Sequence, residues 1–294
     1  MKNLDKKLSI SIVNFNSGEY LTECLKSLER VKGELNFDVW VVDNASTDDS
    51  FIKAKKLFPQ INLIGNKQNL GFGKAHNQVA KIVDTQYILF LNPDTKVLPG
   101  TLKFMAELMD KNANIGISGC RVEKADGTLD WASHRGFPTP WASLLYHFLK
   151  NDSLYHQTDK NMSQIHEVDC LVGAFMFARK SVLDKVGYFD EDYFLYAEDI
   201  DLCFRVKEAG FKIIYAPDVK VVHLKGVSSG IKKHSQNISQ ASAESRKKSL
   251  DYFYSTMILF YKKHLQSKYP FFINWLVFFG IKLKWFIAKR SLTV

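Results

Sequence analysis

Short apolar runs alternate with amphipathic stretches through the first half of the chain, and this alternation limits the fold most. Residues 8–15 (LSISIVNF), 37–42 (FDVWVV) and 87–91 (YILFL) have the length and composition of buried strands. Between the first two, residues 19–30 carry apolar side chains at helical spacing. Strands separated by helices predict an α/β fold, with a mostly parallel, Rossmann-like central sheet flanked by helices.

The remaining elements follow from the same patterns, with more irregular stretches after residue 99. Further strands are predicted at 61–64, 115–122, 168–177, 212–216 and 219–223, and further helices at 50–57, 74–83, from 99 onward, at 181–186 and at 198–209. Residues 126–140 have the composition of a loop, and residues 142–162 are ambiguous between helix and mobile loop. Residues 228–249 are polar and basic, as expected for a mobile link into aromatic-rich helix from residue 252 onward.

Composition excludes several classes of protein. Of the 294 residues, 46% are apolar and 24% are charged, which is enough to bury a large core and excludes wholesale disorder. The four cysteines are far apart and form no CxxC or Cys/His pattern, so we expect buried thiols rather than a disulfide scaffold or a structural zinc site. Residues 1–7 are charged and lack the apolar core of a secretion signal, so we expect a cytoplasmic protein.

The excess positive charge is confined to the last quarter of the chain. The whole chain has a formal net charge of +9. Residues 220–294 hold 14 basic and 2 acidic residues, a net charge of +12, whereas residues 1–219 carry a net charge of −3. This division indicates two parts with different tasks rather than a polyanion-binding surface over the whole protein.

Polar side chains follow three of the predicted strands at the points where the strands end. They are Asn14 and Asn16 at the end of the first strand, Asp43 after the second, and Asn92 and Asp94 after the fourth. Each alone is more often a helix cap or a turn residue. Ligands bind at the carboxyl ends of strands in open α/β sheets, so three such clusters favour a binding site. Asp94 suits Mg²⁺ or Mn²⁺ bridging a diphosphate, because such an ion needs only one or two carboxylates beside phosphate oxygens and water.

A cluster of acids begins the helix predicted at 198–209. Glu198, Asp199 and Asp201 lie among aromatic and aliphatic residues, so we expect partial burial. Acids at a helix N-terminus are favoured by the helix dipole, and this structural role is the alternative. Burial beside other carboxylates raises proton affinity, which suits a general base.

His223 follows the last predicted strand. A lone histidine is more often structural, but a neutral imidazole here would make a second ligand for an ion on Asp94.

Seven short stretches occur together in one order and spacing. Each stretch alone is a weak signal, but the combination is a strong one. They are SIVNFNS (11–17), VVDNASTDDS (41–50), NLGFGKAHN (69–77), LNPDT (91–95), GAFMFARKSVLDKVGYFDEDYF (173–194), AEDIDLCFR (197–205) and VVHLKGVS (221–228). Over residues 9–230 the chain therefore resembles an inverting family 2 glycosyltransferase of the GT-A fold. Because of NLGFG and LNPDT, it is most similar within that family to rhamnosyltransferase-like enzymes of bacterial surface polysaccharide assembly.

The resemblance implies a role for each matching residue. For nucleotide binding it implies Asn14, Asn16, Asp43, Asn69, Gly71 and Asn92. For metal binding it implies Asp94 and His223, and for catalysis Asp199 as general base with Glu198 as its neighbour. Acceptor binding is assigned by position alone to Trp131, Arg135 and Asp201, with His134 in the same region. Asn92 replaces the usual acid at the first position of the Asp-x-Asp-like motif, which removes one carboxylate from the metal site.

The reaction that the resemblance implies is a single inverting displacement. Asp199 would take a proton from an acceptor hydroxyl, whose oxygen attacks the anomeric carbon while the nucleotide diphosphate leaves, stabilised by a metal ion on Asp94. The expected donor is dTDP-rhamnose and the alternative is a UDP-hexose, because thymine and uracil present the same imide edge to Asp43. Gly71 would let the backbone approach the nucleotide. The expected acceptor is a polyprenyl-linked sugar or a polysaccharide in cell-surface glycan assembly.

The last quarter of the chain combines its positive charge with aromatic residues. Thirteen of the 39 aromatic residues lie between Tyr252 and Phe286, interleaved with lysines. Such basic, aromatic helices are typical of segments that lie in the interface of an anionic membrane. The alternatives are packing on the catalytic domain and a homodimer through these helices; no nucleic-acid motif accompanies the charge. No apolar run reaches the roughly 20 residues of a spanning helix, and residues 271–283 come closest.

These patterns predict a catalytic domain over residues 1–230 and a helical membrane-association region over residues 231–294, peripheral on the inner face of the cell membrane. Two other functions stay open. A protein that only binds nucleotide sugars or tethers an assembly complex would keep the fold, and Asn92 favours it. A nucleotidyltransferase shares a similar sheet but needs a basic, glycine-rich loop after the first strand, where residues 14–19 carry no Lys or Arg.

Overall fold

A computed structural model describes residues 6–224 and 243–291 of the chain. Residues 225–228 of the last motif, most of the predicted link at 228–249 and the predicted boundary at residue 230 lie outside the described residues. The described residues form a central sheet of nine strands and a separate sheet of two. The strands are β1 (Leu8–Asn14), β2 (Phe37–Asp43), β3 (Asn62–Gly65), β4 (Tyr87–Leu91), β5 (Thr95–Val97), β6 (Ile115–Glu123), β7 (His134–Arg135), β8 (His166–Glu167), β9 (Cys170–Leu171), β10 (Phe175–Arg179) and β11 (Lys212–His223).

The central sheet is mostly parallel. Its order is β3–β2–β1–β4–β10–β6–β11–β5, and β8 also pairs with β11. β1 is parallel to β2 and β4, β2 to β3, and β6 to β11, while β10 is antiparallel to both β4 and β6. Six of the nine strands therefore run in one direction, and β5, β8 and β10 run in the other. This confirms the predicted fold class. β7 and β9 form the separate sheet.

Helices connect the strands and continue beyond the sheet. They are α1 (Glu19–Arg30), α2 (Ser50–Leu57), α3 (Phe72–Ala80), α4 (Thr101–Lys111), α5 (Pro140–Phe148), α6 (Ser153–His156), α7 (Lys180–Val186), α8 (Glu198–Glu208), α9 (Ala243–Phe260) and α10 (Phe271–Ser291). A π-helical turn (Tyr261–Leu265) and a 3₁₀ turn (Gln266–Lys268) join α9 to α10, and another 3₁₀ turn (Trp131–Ser133) precedes β7. The ambiguous stretch at 142–162 thus holds most of α5 and all of α6.

Two apolar clusters pack on opposite faces of the central sheet. Along β4, Ile88 and Phe90 belong to one cluster and Leu89 and Leu91 to the other, because successive side chains of a strand point to opposite faces. Side chains of α1 and α4 complete one cluster, and side chains of α3, α8 and the π-helical turn complete the other. A strand buried on both faces is apolar throughout, which is why YILFL was recognisable in the sequence. All four cysteines are buried free thiols, as predicted.

Three predicted strands differ from the structure. The strand expected at 168–177 is divided, since β9 pairs with β7 and β10 belongs to the central sheet. The strands expected at 212–216 and 219–223 are one strand, β11, whose register shifts between Ala216 and Lys220. Pro217 lies in this bulge, where its missing N–H interrupts no ladder hydrogen bond. β5 was not predicted, because three residues after an Asn-Pro turn have no periodicity of their own.

Helix α10 corrects the expectation that no segment is long enough to span a bilayer. It has 21 residues and, by length and composition alone, could cross a membrane. The sequence estimate ended where Lys282 and Lys284 interrupt the apolar run, but the helix continues through them to Ser291. None of its described residues is buried, and Phe271, Trp275 and Phe279 are among its exposed side chains.

Candidate active site

The parallel register of β1, β2 and β4 brings the three polar clusters to one edge of the sheet. Asn14 lies opposite Asp43, and Ile12 lies opposite Leu91, which directly precedes the Asn92–Asp94 turn. The strand ends that the sequence pattern indicated are thus neighbours in the structure.

The side chain of Asn14 positions Asp43. Its side chain is fully buried, and its amide nitrogen lies 2.7 Å from Oδ1 of Asp43 and 2.9 Å from Oγ of Ser50. Its amide oxygen accepts a hydrogen bond from the Ser17 hydroxyl. The amide of Asn14 is thus enclosed and used within the protein, and its predicted place at the nucleotide pocket stays a prediction. The backbone N–H of Ser46 donates to the other Asp43 oxygen at 3.1 Å.

Asn16 joins the loops that follow β1 and β2. It is exposed and has a left-handed backbone, with φ of 51°. Its amide oxygen accepts from the N–H of Thr47 at 2.7 Å, and its own N–H donates to Oγ of Ser46 at 3.0 Å. A nucleotide contact at this rim stays a prediction.

Asn44 is a residue that the sequence analysis missed. Its buried amide donates to Oδ1 of Asn69 at 2.9 Å and to the carbonyl of Gly71 at 3.0 Å, and it accepts from the N–H of Leu70 at 3.0 Å. One side chain thus fixes the whole turn before α3. The signal was present in the sequence as a polar residue directly after Asp43, but a cap residue would look the same.

Gly71 is required by contact with protein backbone. Its φ is 84°, and a β-carbon there would overlap the carbonyl of Phe194, which accepts from the N–H of Phe72 at 3.0 Å. The close approach that glycine permits is thus to residue 194. Contacts of Asn69 and Gly71 with a nucleotide stay predictions.

Asp94 and His223 form a buried pair at the far side of this edge. Oδ1 of Asp94 lies 3.0 Å from Nε2 of His223, and both residues are less than a tenth exposed. The antiparallel pairing of β11 with β5 creates this contact, because it sets His223 opposite Thr95, the residue after Asp94. The amide nitrogen of Asn92 lies 3.5 Å from the same Nε2.

The pair fits a divalent ion that takes most of its ligands from elsewhere. Adjacent ligands of an octahedral ion with bonds of 2.0–2.1 Å lie about 3 Å apart, close to the separation of Oδ1 of Asp94 and Nε2 of His223. Within residues 6–224 and 243–291, no group of three or more His, Cys, Asp or Glu side chains could hold a metal. Phosphate oxygens and water would have to complete the shell, as is usual for Mg²⁺.

Glu198 and Asp199 begin α8 and are both buried. Oδ2 of Asp199 accepts from the N–H of Gly173 at 3.3 Å, and Oδ1 accepts from the N–H of Ile200 at 2.8 Å. Burial and the adjacent Asp199 charge raise the pKa of Glu198 to about 8, although Arg135 opposes the shift. At neutral pH the Glu198 carboxyl is therefore mostly protonated.

One short peptide segment links the acids to the Asp94 turn. Gly173 donates its N–H to Asp199, and the carbonyl of the next residue, Ala174, accepts from the N–H of Asn92 at 3.2 Å. Consecutive Cα atoms are 3.8 Å apart. The proposed base and the proposed metal ligands therefore lie on two sides of the same turn between β9 and β10.

The backbone before α8 is strained. Tyr196 and Ala197 have φ of 71° and 66°, in the left-handed region that non-glycine residues rarely occupy. Each such residue costs of order 1 kcal/mol or more, so it persists only where its surroundings hold it. Consecutive strained residues directly before two buried carboxyls are typical of functional sites.

Asp201 is a structural residue, and its predicted acceptor role is wrong. It is fully buried, and its two oxygens lie 2.7 Å from Nη2 of Arg205 and 2.6 Å from Nε2 of His264. Arg205 also donates to the carbonyls of Val186 and Tyr188, both at 2.6 Å. With both oxygens engaged and no solvent access, the carboxylate cannot contact an acceptor.

The three other acceptor-side residues lie in different environments. Arg135 lies on β7 opposite Cys170. Burial lowers the pKa of its guanidinium, but the charges of Tyr155 and Asp199 raise that pKa by more, which favours a charged Arg135 in this region. Trp131 is 46% exposed in the 3₁₀ turn. His134 is fully buried against Tyr215, and burial lowers its pKa to about 4, so it is a neutral core residue. Acceptor contacts of Arg135 and Trp131 stay predictions.

Comparison with known proteins matches this architecture to one family. The family model described as "Glycosyl transferase family 2" matches residues 9–187. The chain is 28% identical over 241 residues to the N-acetylglucosaminyl-diphospho-decaprenol L-rhamnosyltransferase of Mycobacterium tuberculosis, covering 76% of this chain and 78% of that protein. It is 29% identical over 160 residues to the rhamnosyltransferase WbbL of Escherichia coli, covering 52% and 60%.

Solved structures share the fold at lower identity. Residues 1–349 of TarS from Staphylococcus aureus align with a TM-score of 0.52 at 20% identity, covering 84% of this chain and 65% of that one. The mannosyltransferase PcManGT from Pyrobaculum calidifontis, solved with GDP-Man and Mn²⁺, aligns with a TM-score of 0.55 at 16% identity, covering 87% and 65%. The chain thus spans less than two thirds of either structure, and the likeness shows a GT-A fold.

Proposed function

Because this chain belongs to glycosyl transferase family 2, we propose that it is an inverting, metal-dependent hexosyltransferase acting on a nucleotide diphosphate sugar and an acceptor hydroxyl. One arrangement carries the proposal. The turn at Gly173 and Ala174 holds Asp199 on one side and the Asn92–Asp94 turn on the other. A base and a diphosphate-binding ion must lie on opposite sides of an anomeric carbon for in-line displacement, and this arrangement supplies both groups.

Asp199 is the proposed general base. Its carboxylate is held by two backbone N–H groups, so it would meet the acceptor hydroxyl in a fixed orientation. The acceptor oxygen, after losing its proton to Asp199, would attack the anomeric carbon opposite the leaving diphosphate and invert the configuration. Glu198, protonated at neutral pH, is the uncharged neighbour of this base.

Asp94 and His223 would hold the divalent ion, either Mg²⁺ or Mn²⁺. A bound ion would offset negative charge on the departing diphosphate. Asn92 lies beside His223 in the same turn as Asp94 and would contact the nucleotide. Asp43, oriented by Asn14, would accept a hydrogen bond from the imide N–H of the pyrimidine nucleobase.

The proposed donor is dTDP-rhamnose and the proposed acceptor is a polyprenyl-linked sugar or polysaccharide of the bacterial cell surface. Two relatives with rhamnosyltransferase activity in their names support the donor, and the diphospho-decaprenol in one name supports the acceptor class. A UDP-hexose is the second donor candidate, because TarS is solved with UDP-GlcNAc and uracil has the same imide edge.

Helix α10 supports a peripheral position on the inner face of the cell membrane. Phe271, Trp275 and Phe279 are exposed on it, and Lys282 and Lys284 lie on the same helix. Aromatic residues beside lysines suit the interface of an anionic bilayer, where a lipid-linked acceptor resides. A homodimer through the same helix is the competing proposal.

A donor screen tests the function. The purified protein is incubated with a panel of nucleotide sugars, Mn²⁺ or Mg²⁺ and an acceptor, and released diphosphate is measured. Preference for dTDP-rhamnose would support the proposal, and preference for a UDP-hexose would replace the donor while keeping the mechanism. Binding of a nucleotide sugar without turnover of any donor would favour a protein that only binds nucleotide sugars, which the missing acid at Asn92 also favours.

A further inference from the structure

We infer that α9 and the π-helical turn after it hold the acid-bearing helix α8 in place, which makes Tyr252 and His264 positioning residues for sugar transfer. The inference rests on the proposed function and adds to it, because it gives the C-terminal region a task in catalysis separate from membrane association.

The segment before the acids is held from two sides. On one side, the Phe194 carbonyl accepts from the N–H of Phe72 at 3.0 Å. On the other side, the Phe194 ring stacks on Tyr252 of α9, with centroids 4.6 Å apart and planes inclined by 22°. The ring of Tyr196 meets Phe253 of α9 edge-on, with centroids 5.8 Å apart. The strained backbone at Tyr196 lies between these contacts, so α9 belongs to the surroundings that hold it.

The first turn of α8 is held by the π-helical turn. Nε2 of His264 lies 2.6 Å from Oδ1 of Asp201, which is fully buried and only two residues from Asp199. The His264 ring also packs on Phe204, with centroids 4.5 Å apart. A shift of this turn would therefore move the helix that carries Asp199. π-helical turns often occur at functional sites.

The core supports the same division of the chain. Phe260, Tyr261 and Leu265 are buried in the apolar cluster that contains Leu202 and Phe204 of α8. Helix α10 adds no fully buried residue to this cluster, although its partly buried Val277 and Phe278 pack against it. The proposal therefore counts α9 and the π-helical turn with the catalytic part of the chain, beyond the predicted boundary at residue 230.

Substitutions on the full chain test the inference. Tyr252→Leu removes the stack and Tyr252→Phe keeps it; His264→Leu removes the contact to Asp201 and His264→Gln keeps an N–H donor. Tyr254→Leu is the matched control, because the Tyr254 ring stacks on Trp285 of α10, with centroids 6.1 Å apart. The acceptor is a water-soluble sugar without lipid, so that membrane association does not enter.

We expect kcat to fall about tenfold or more in Tyr252→Leu and His264→Leu, since small displacements of catalytic groups have effects of this size. The donor KM should change less than kcat, because the contacts that are removed are to Phe194 and Asp201 and not directly to the residues proposed to bind the nucleotide. Tyr252→Phe and His264→Gln should restore kcat. Loss of kcat in Tyr254→Leu equal to that in Tyr252→Leu, or an unchanged kcat in both Leu variants, would overturn the inference.

Hydrogen exchange separates this inference from the proposed function. Backbone amides of residues 193–203 should exchange faster in Tyr252→Leu and His264→Leu than in the wild-type protein or in Tyr254→Leu. A wild-type protein that turns over no donor would refute the proposed function. Unchanged exchange in both Leu variants would refute the positioning role, whatever the activity of the wild-type protein.

Discussion

Asn14 and Asp43 are the last residues of neighbouring strands, yet the structure gives them different tasks. The amide of Asn14 makes hydrogen bonds to Asp43, Ser50 and Ser17, whereas the carboxylate of Asp43 is held in place at the edge of the sheet. The sequence could predict that both residues lie at strand ends. It could not predict which one is enclosed, because the partners are up to 36 residues away.

Asp199→Asn tests the base directly. We expect kcat to fall by about 10²–10⁴-fold, the usual contribution of a general base, while the dissociation constant of the donor changes little. Diphosphate release gives kcat, and titration calorimetry gives donor affinity. Asp159→Asn, an exposed acid, is the matched control and should leave both values unchanged. Loss of donor binding in Asp199→Asn would contradict the assignment.

Glu198 makes stability depend on pH in a defined direction. Its pKa is about 8 in the folded protein and 4.5 is the ordinary value, so the folded state keeps a proton that the unfolded state loses between these values. Stability from this group is therefore complete below about pH 4.5 and is lost as pH rises towards 8. Glu198→Gln removes this dependence.

The measurement compares urea unfolding of wild-type and Glu198→Gln proteins at pH 5 and pH 8. Relative to the wild type, the variant should gain about 1 kcal/mol or more in free energy of unfolding between these pH values, since one pKa unit corresponds to about 1.4 kcal/mol. Glu107→Gln, at an exposed position, should show no such gain. A constant difference between pH 5 and pH 8 would show that Glu198 has an ordinary pKa.

At the scale of elements, β11 creates the proposed metal site. Its antiparallel pairing with β5 brings His223 to Asp94, although 129 residues of sequence separate them. Sequence patterns predicted β1, β2, β4 and α1 to within one residue, because each carries its own periodicity. β5, β7 and β8 have two or three residues each and exist through their pairing, so no local pattern could predict them.

Metal dependence should follow the residues around β11. Chelation by EDTA should abolish transfer and added Mn²⁺ should restore it. His223→Ala should raise the Mn²⁺ concentration for half-maximal activity by about 10–100-fold, and Asn92→Asp should lower it by restoring a carboxylate 3.5 Å from the imidazole position. The titration of activity against Mn²⁺ measures both changes. Equal Mn²⁺ requirements in the three proteins would place the ion elsewhere.

At the scale of the whole molecule, the excess positive charge and the exposed apolar side chains of the last quarter are distributed differently along the chain. The net charge of +12 is counted from residue 220, whereas among the described residues of this last quarter most of the exposed large apolar side chains lie on α10, from Phe271 onward, and Phe253 of α9 is exposed as well. Between them, α9 and the π-helical turn contribute Leu250, Phe260 and Leu265 to the buried residues. Composition alone joined both stretches into one membrane-association region, because it cannot separate buried aromatic residues from exposed ones.

Membrane association should depend on α10 and on anionic lipid. In co-sedimentation, the full chain should bind phosphatidylglycerol-containing vesicles more tightly than phosphatidylcholine vesicles. Lys282→Gln and Lys284→Gln should each weaken binding by about 1 kcal/mol, and Trp275→Ala should weaken it on both kinds of vesicle. Ile52→Ala, an exposed apolar residue on α2, is the control. Concentration-dependent dimerisation without binding to either kind of vesicle would favour the homodimer through α10 instead.

The contact of His264 with Asp201 has a consequence for the choice of acceptor. The Asp201 side chain ties the base-bearing helix to the π-helical turn, and only residues 266–270 separate that turn from α10. If α10 lies in the lipid headgroups, these few residues, at most about 3.5 Å each, set the height of Asp199 above the bilayer. The enzyme would then select acceptors by length, because a hydroxyl could reach Asp199 only when the spacer between lipid and sugar matches that height.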